Sequence, residues 1–575
     1  IEYQVNGTNA NNWTEGNTIA TTVNGLHHGD IVYARLTDGT NTGEYTTYNV
    51  IDSIAPTINS FTVENVTENS ITVSVEAVDN QSGLAESGTY AYYKNGSLVE
   101  TSESNTYKYS GLEDGTEYEL KVKVKDQAGK TAEKTISEMT NIIKVPGEWD
   151  GEVNTPMLSQ GMIPVRYDEG EKTWVISNLN DPEWYDYVDQ KSGADGTSYW
   201  ANVMLSDGKY KYSENVSSQV VDSSGKEIAV GTKIRDTDMG SMYVWIPRYA
   251  YAITDNWHTG GEAVSGEVKI SFLEGNKTYS TGSSISYTYQ GTSGTAVLAN
   301  KTGEGNWNEH PAFNFGGTIL NGIWVAKFEA SRSDASISSI GTNYLIKIQP
   351  NVVSWRTITI SNAFTTCLNM NSTSNADKYK ISSDDSTIDP HMMKNSEWGA
   401  VAYLTQSSYG RNGNELNINN SIDFITGMAG DKTNSNSSEP TYEYTTENGK
   451  KGSTTGNVSG VYDMSGGAFE YVAAYVNNNN NSLTQFGRNL YNADPKYKDI
   501  YSRGSGDTAI NNYNSNSNIY GDSVYEVSDA GNGPYGWFYD YSYFPYNTTP
   551  FWTRGGKYIN LKTAGIFNFY YTNGN

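Results

Sequence analysis

The chain has 575 residues, a formal net charge of −26 and a single cysteine, Cys367. One hydrophobic core rarely extends beyond about 250–300 residues, so we expect two to four domains. The negative charge excludes nucleic acid as a partner, because phosphate binding needs a positive face, and it disfavours an anionic membrane surface. One cysteine excludes a scaffold built on internal disulfides. No apolar run approaches the ~18 residues of a membrane span.

The composition indicates an exposed, interacting surface. Tyrosines (45) outnumber lysines and arginines together (39), and long stretches are rich in Asn, Ser and Thr. Binding loops use such residues because tyrosine offers a large contact area at low entropic cost. A disulfide-free, acidic chain of this kind fits an extracellular location, which we predict to be a bacterial cell surface or a virion.

Residues 1–140 are predicted to be all-β. Residues 71–78 and 118–126 alternate apolar and polar side chains with a period of two, as half-buried strands do. An internal repeat is also visible, because 25–36 matches 111–122 at a spacing that suits one β-sandwich module.

The second copy of this repeat carries Gly111-Leu112 and, six residues on, Tyr118 at the start of an alternating strand. This pattern resembles the corner before strand F of fibronectin type III domains and of related bacterial Ig-like modules. The resemblance implies that the Tyr118 hydroxyl is bonded to upstream backbone. The region boundaries that we predict are 1–52 for a partial Ig-like β module, 53–140 for a fibronectin type III-like sandwich, 141–160 for a linker and 161–575 for the last domain.

Five segments of the last region follow, in order, the motifs of a known family. They are Gly322–Ser331 (Gly-Ile-Trp-Val-Ala-Lys-Phe-Glu-Ala-Ser), Asn351–Arg356 (Asn-Val-Val-Ser-Trp-Arg), Met393–Ala402 (Met-Lys-Asn-Ser-Glu-Trp-Gly-Ala-Val-Ala), Gly460–Tyr471 (Gly-Val-Tyr-Asp-Met-Ser-Gly-Gly-Ala-Phe-Glu-Tyr) and Thr553–Tyr558 (Thr-Arg-Gly-Gly-Lys-Tyr). On these motifs, residues 240–575 resemble the formylglycine-generating enzyme (sulfatase-modifying factor) superfamily.

The resemblance implies an α+β C-type-lectin-like fold with long loop insertions. The fold class that we predict for the chain is therefore multidomain, with all-β Ig/fibronectin-III-like sandwich modules followed by this formylglycine-generating-enzyme-like domain. Helices are predicted over 352–370 and 391–404, and polar insertions over 271–309, 371–388, 407–455 and 476–530. The family fold closes with one more strand, so we expect this chain to be truncated before it.

The same fold serves oxidases and also ligand display, as in the variable proteins of diversity-generating retroelements. The resemblance implies that the oxidases need a pair of cysteines in the C-terminal segment to bind copper, and no cysteine follows Arg554 here. Cys367 lies between apolar residues of a predicted helix and is interpreted as an inert thiol. No metal-ligand spacing relates the five histidines, which are His27, His28, His258, His310 and His391. We therefore predict a non-catalytic protein.

No cofactor is predicted. Members of the family often carry structural calcium near a Gly-Asn-x-Trp-Glu-Trp turn. Here Gly467 replaces the asparagine, Phe469 and Tyr471 replace the tryptophans, and only Glu470 remains. Calcium wants six to eight oxygens, so a calcium site is not supported, and Asp463 and Glu470 are interpreted as hydrogen-bond acceptors of a tight turn.

In the display branch of the family, the segment after the Arg-Gly-Gly strand contacts the ligand. Here that segment is rich in aromatic and polar side chains, which mark recognition surfaces when they are exposed. Whether Ile566, Phe567 and Phe569 are core or contact residues stays open, because strand alternation does not say which face meets solvent. The candidate ligand-binding residues are Trp537, Tyr539, Trp552, Arg554, Tyr558, Asn560, Lys562, Phe567, Phe569 and Tyr571.

The first hypothesis is an extracellular adhesin or receptor-binding tip, displayed on a β-sandwich stalk, whose partner is a cell-surface glycan or protein. The alternative is a structural subunit that self-assembles into an extracellular filament, pilus or phage appendage. An oxidase-like enzyme of the same superfamily is the least favoured interpretation. No nucleic-acid partner and no membrane span are predicted.

Overall fold

The protein was analysed as a computed structural model, which describes residues 1–16, 23–206, 208–275, 277–334, 344–381, 388–420, 425–426 and 442–575. Parts of the predicted insertions 271–309, 371–388 and 407–455 lie outside these residues. Contacts within the chain define two compact units, Ile1–Ile143 and Lys144–Asn575. The described residues are mostly β, and none of their helices is long and apolar enough to cross a membrane.

The described residues of the first unit form eleven strands in three sheets. Four strands form a sheet in the order β2-β1-β3-β4, and only Gln4 and Val32 are buried in it. The strands are β1 (Glu2–Val5), β2 (Thr14–Glu15), β3 (Ile31–Arg35), β4 (Thr46–Asn49), β5 (Thr57–Val66), β6 (Ser70–Val78), β7 (Tyr90–Lys94), β8 (Ser97–Ser102), β9 (Thr106–Ser110), β10 (Glu117–Lys125) and β11 (Thr131–Met139).

The remaining seven strands form the predicted β-sandwich. The three-stranded sheet β5-β6-β9 and the four-stranded sheet β11-β10-β7-β8 share one hydrophobic core. Leu120, Val122 and Val124 are 0% exposed in this core, and the lysines between them lie on the other face of β10. The alternation predicted from the sequence is therefore confirmed.

The Tyr118 side chain has the predicted corner geometry. Its ring is 7% exposed, and its hydroxyl accepts a hydrogen bond from the Glu113 backbone N–H at 2.9 Å. A phenol oxygen that satisfies a backbone donor beside a buried ring contributes both packing and polar stabilisation. This bond connects the strand with the turn five residues upstream.

The second unit is built from many short strands. Its largest sheets have the strand orders β13-β12-β14-β17-β25 and β29-β28-β32-β33-β31-β30. The strands are β12 (Met162–Asp168), β13 (Thr173–Ile176), β14 (Asn202–Leu205), β15 (Tyr210–Tyr212), β16 (Val220–Asp222), β17 (Ser241–Pro247), β18 (Tyr249–Asp255), β19 (Glu267–Phe272), β20 (Ser284–Tyr289), β21 (Thr292–Val297), β22 (Asn308–Glu309), β23 (Asn314–Phe315), β24 (Thr318–Ile319), β25 (Gly322–Ala326), β26 (Ser331–Arg332), β27 (Ile346–Lys347), β28 (Glu470–Asn477), β29 (Asp499–Ser502), β30 (Asn532–Gly533), β31 (Ser542–Tyr543), β32 (Phe551–Arg554) and β33 (Phe569–Thr572).

Two longer helices overlap the predicted helical segments, but both start later than predicted and the second ends at Gln406 rather than at 404. The helix predicted over 352–370 begins only after Thr359, whose side chain accepts from the Asn362 N–H, because Thr357 has a left-handed φ of 58°. The helix predicted over 391–404 begins at Asn395, where Glu397 accepts from the Lys394 N–H at 2.8 Å. The helices are α1 (Ile360–Leu368), α2 (Ala376–Tyr379), α3 (Asn395–Gln406), α4 (Ser482–Gln485), α5 (Arg488–Asn492) and α6 (Ala509–Ser515).

Part of the segment predicted as a linker, 141–160, is packed into the second unit. Asn154 is 0% exposed, and its side-chain amide donates to the backbone carbonyls of Leu273 and Asn321 at 2.9 Å. Its side-chain oxygen accepts from Gly275 N at 2.6 Å. Of the Pro and Gly residues that indicate a linker here, Gly147 and Pro156 are buried, Pro146 is half-buried and Gly151 is exposed.

Replacing Tyr118 with phenylalanine removes only the hydroxyl of the corner. The Glu113 N–H then loses its acceptor, so we expect the free energy of unfolding of the first unit to fall by about 1 kcal/mol. The change is measured by unfolding the whole chain in urea, with hydrogen exchange of the β10 amides as the readout. Tyr48→Phe, in a ring that is 71% exposed, is the matched control and should leave stability unchanged. Equal stability of both variants would contradict the corner bond.

Candidate functional site

A cavity of about 520 Å³ opens on the second unit. Segments distant in the sequence contribute to it: the residues after β25, helix α1, the turn that precedes β28, and strands β32 and β33. Its lining combines carboxylates with aromatic rings. These lining residues include Glu329, Phe469, Glu470, Tyr558, Tyr570 and Tyr571.

The turn Gly466-Gly467 brings two of the sequence motifs into contact at this cavity. Gly466 N donates to Gly555 O at 2.9 Å, and Tyr558 N donates to Gly467 O at 2.9 Å. Gly467 has a φ of 68°, and a Cβ atom there would lie 2.2 Å from a carboxylate oxygen of Glu329. Only glycine fits this position without displacing the Glu329 side chain.

Three carboxylates form the acidic floor, defined as Glu329, Asp463 and Glu470; the first two are buried and Glu470 is half-buried. Glu329 accepts from Ala468 N at 2.7 Å and from the Ser354 hydroxyl. Asp463 accepts from Glu329 N at 3.2 Å and from the Asn419 amide at 2.8 Å.

Burial dominates the electrostatics of this floor. Desolvation, followed by repulsion from Asp463, raises the pKa of Glu470 to about 8, and the same two causes hold the pKa of Glu329 well above its usual range. Desolvation also raises the pKa of Asp463. Like charges this close resist joint ionisation, so protons are retained here at neutral pH. In the part of the chain that the structure describes, the three side chains do not bring one oxygen each within 4.8 Å of the other two.

Aromatic rings form one wall of the cavity and continue beyond it. Phe469 stacks on Tyr570 at 5.8 Å between ring centroids, and Tyr570 stacks on Tyr571 at 4.4 Å. Tyr571 in turn makes edge-to-face contacts with Tyr543 and Tyr546, with ring centroids 4.7 Å and 5.3 Å apart. We name the partly exposed rings of Tyr541, Tyr543, Tyr546, Tyr570 and Tyr571 the tyrosine cluster.

Two of the ten predicted ligand-binding residues, Tyr558 and Tyr571, line the cavity. Three others lie outside its lining. Lys562 pairs with Glu262 at 2.7 Å and lies 4.5 Å above the Tyr539 ring. The Asn560 side chain accepts from Lys557 N at 2.8 Å.

The other five predicted residues are core side chains. Each of them is 0% exposed, which leaves no surface for a ligand, so they do not belong to the site. They are Trp537, Trp552, Arg554, Phe567 and Phe569. Ile566, whose role was open, is also buried.

Arg554 illustrates why these side chains are inside. Its guanidinium donates to Asp522 O at 3.3 Å and Ser523 O at 3.2 Å and lies 5.5 Å from the Trp398 ring. Desolvation lowers the pKa of this guanidinium to about 10. The Trp552 ring packs against the Phe544 ring, with their centroids 4.6 Å apart. The Arg-Gly-Gly strand thus ties the sheet to helix α3.

Sequence reasoning missed Glu329, Phe469, Tyr543 and Tyr570 as members of the site. Glu329 and Phe469 belong to two of the quoted motifs, so the signal was present in the sequence. Their convergence depends on contacts between distant segments.

Cys367 and His391 are the thiol and the imidazole that the sequence offers near the site for catalysis or metal binding. Cys367 lines the cavity from α1, and burial raises its pKa to about 12, which suppresses the nucleophilic thiolate. His391 lies just before α3, with Nε2 3.0 Å from a carboxylate oxygen of Glu397 and its ring stacked on Phe315.

No family model matches the chain, and no curated protein is similar to it. Several solved structures align with it, among them the following two. The rat CD45 extracellular region, domains d3–d4, aligns at 18% identity with a TM-score of 0.17, over 22% of this chain and 73% of that chain. The central fibronectin-III array of RIM-binding protein aligns at 13% identity with a TM-score of 0.14, over 42% of this chain and 79% of that chain. Neither likeness fixes the fold or the function of this chain.

Glu470→Gln tests the protonation of the acidic floor. Because the pKa of Glu470 is raised from 4.5 to about 8, the folded state binds this proton more tightly than the unfolded state. The resulting stability is complete below about pH 4.5 and is lost as the pH rises toward 8. The variant carries no titrating group there, so its free energy of unfolding should fall less than that of the parent between pH 5 and 8.

Urea unfolding at pH 5, 6.5 and 8 measures the difference. Glu304→Gln, at an exposed position of the same unit, is the control and should follow the parent at each pH. If the Glu470→Gln profile also ran parallel to the parent, the carboxylate would be ionised in the folded protein and the assignment would be overturned.

Proposed function

We propose that this chain is an extracellular ligand-binding protein without catalytic activity, and that its ligand occupies the cavity and the adjoining tyrosine cluster. The observation that carries the proposal is the continuity of the two: Tyr570 and Tyr571 line the cavity and also belong to the cluster. Grouped aromatic side chains that keep partial exposure are typical of recognition surfaces.

The chemistry of the site favours a glycan. Stacked tyrosine rings offer apolar faces to sugar C–H groups, and their hydroxyls offer hydrogen bonds to sugar hydroxyls. Glu329 and Glu470 at the floor add acceptors, or donors when protonated. The net charge of −26 disfavours acidic sugars, so a neutral glycan on a cell surface is the proposed ligand.

We also propose that the second unit has the C-type-lectin-like fold implied by the sequence motifs. Four of the motif segments contact one another around one core, which supports this assignment. Tyr462 N donates to Lys327 O at 2.8 Å, and Gly466 N donates to Gly555 O. Trp398 of α3 approaches the position of a Gly555 Cβ within 3.4 Å.

The oxidase alternative receives no support from the thiol chemistry. The resemblance implies that copper binding in the family needs two cysteines, and this chain has only Cys367, whose thiolate is suppressed by burial.

A second candidate function, self-assembly into a filament or appendage, is favoured by one observation. The sheet β2-β1-β3-β4 buries few side chains, and Leu36, Tyr45 and Tyr48 around it are 68%, 50% and 71% exposed. Exposed apolar groups on a sheet can pair with another chain. Concentration-dependent filaments in electron micrographs of the purified protein would support this candidate.

The binding proposal is tested with the whole chain on a glycan array and on intact cells. Replacement of both Phe469 and Tyr571 by alanine removes two rings of the wall. Truncation of central aromatic contacts costs about 2 kcal/mol or more, so we expect at least about a 30-fold loss of affinity. Tyr199→Ala is the matched control, because this tyrosine is 40% exposed in the same unit but lies outside the cavity lining.

Circular dichroism and the melting temperature establish that both variants are folded. Binding that is lost only in the Phe469/Tyr571 variant supports the site. Parent-like affinity of that variant, or no binding by the parent protein to any glycan or cell, would reject the proposal.

A further inference from the structure

Three aspartates from distant segments converge in the first unit. Asp52 follows β4, Asp79 follows β6, and Asp126 follows β10, and one carboxylate oxygen from each lies within 4.8 Å of the other two. Asp52 is 3% exposed and Asp126 is 1% exposed, while Asp79 is partly exposed. Two of the three carboxylates are therefore shielded from solvent, and only the Asp79 side of the cluster is in contact with solvent.

Backbone amides hold the outer oxygens of these carboxylates. Asp79 Oδ1 accepts from the N–H groups of Ser82 and Gly83 at 2.7 Å each. Asp126 Oδ1 accepts from Lys130 N at 2.7 Å, and Asp52 Oδ1 accepts from a nearby backbone N–H at 2.9 Å. One oxygen of each carboxylate is therefore held by a backbone donor.

A second, independent observation points to that ligand. Asp126 Oδ2 is completely buried and accepts no hydrogen bond from any described residue. A buried carboxylate oxygen without a partner is strongly unfavourable, and native structures rarely leave one. The nearby His28 bonds to Asp52 instead, because its Nδ1 accepts from Asp52 N at 3.2 Å. Asp52 Oδ2 accepts the Ser82 hydroxyl at 2.8 Å.

We infer that Asp52, Asp79 and Asp126 bind a calcium ion. A hard divalent cation would coordinate Asp126 Oδ2 and offset two of the three negative charges. The set contains oxygen ligands only, which excludes the nitrogen and sulfur chemistry that zinc prefers. Calcium accepts irregular sets of six to eight oxygens, and loop carbonyls and water can complete the shell, whereas magnesium demands a compact octahedron.

The ion joins two parts of the first unit. Asp52 lies in the short segment between β4 and β5, and the other two aspartates lie in loops of the sandwich. Coordination of all three therefore fixes this connecting segment against the sandwich. Extracellular modules bind calcium with dissociation constants of about 10⁻⁴–10⁻³ M, so the site is expected to fill outside a cell. The inference is independent of the ligand site in the second unit.

The test uses the whole chain after removal of metal with EDTA. Isothermal titration with CaCl2 is expected to show a site that disappears in Asp126→Asn and in Asp79→Asn, and MgCl2 should bind at least about tenfold more weakly. Asp38→Asn, an exposed aspartate of the same unit, is the control and should titrate like the parent. Unchanged stoichiometry and affinity in both cluster variants, or no calcium binding by the parent, would overturn the inference.

Hydrogen exchange on the unmodified protein keeps the inference testable even when a variant fails to fold. Calcium should slow amide exchange in the peptides that contain 52–54, 79–83 and 126–130, and magnesium at the same concentration should have a smaller effect. Exchange in these peptides that is identical in 10 mM CaCl2 and in EDTA would reject the site.

Discussion

Complete burial of helix α3 is the constraint on which the second unit depends. All twelve residues from Asn395 to Gln406 are buried, so every face of the helix needs a packed neighbour and every polar side chain a partner. Gly399 meets this demand by close approach, because a Cβ atom there would lie 2.0 Å from Gly521 O. Trp398 Nε1 donates to Ile566 O at 2.7 Å. The C-terminal strands are thereby fixed to the helix, and they carry the tyrosines that line the cavity.

The features predicted well from the sequence are those set by neighbours along the chain. The alternation in β10 and the corner hydroxyl of Tyr118 depend on local spacing, and the structure has both. The buried helix was also placed to within a few residues, because Trp398 and its apolar neighbours repeat at helical spacing. The exact start of the helix was not predicted, because His391 lies outside the helix, where it contacts Glu397 and the ring of Phe315.

The predicted ligand residues show where such reasoning stops. Strand alternation was applied from Phe567 to Tyr571, but β33 begins only at Phe569. Phe567 therefore has no strand partner and lies in the core, while the adjacent Tyr570 and Tyr571 stack on each other and both reach the cavity. Glu329 faces the same cavity from another part of the chain. Which aromatic residue meets solvent is decided by these long-range contacts, which no local period encodes.

The two groups of three carboxylates face the same electrostatic problem in different surroundings. In the acidic floor, desolvation is the largest influence and raises the pKa of Glu470 to about 8, so a proton removes the repulsion. Around Asp52, backbone donors are the stronger influence: the Ile54 N–H is the first cause that lowers its pKa. This donor favours the charged form of Asp52. The geometric observation that supports the inferred cation there is the buried, unpartnered oxygen of Asp126, for which the acidic floor has no counterpart among its described carboxylates.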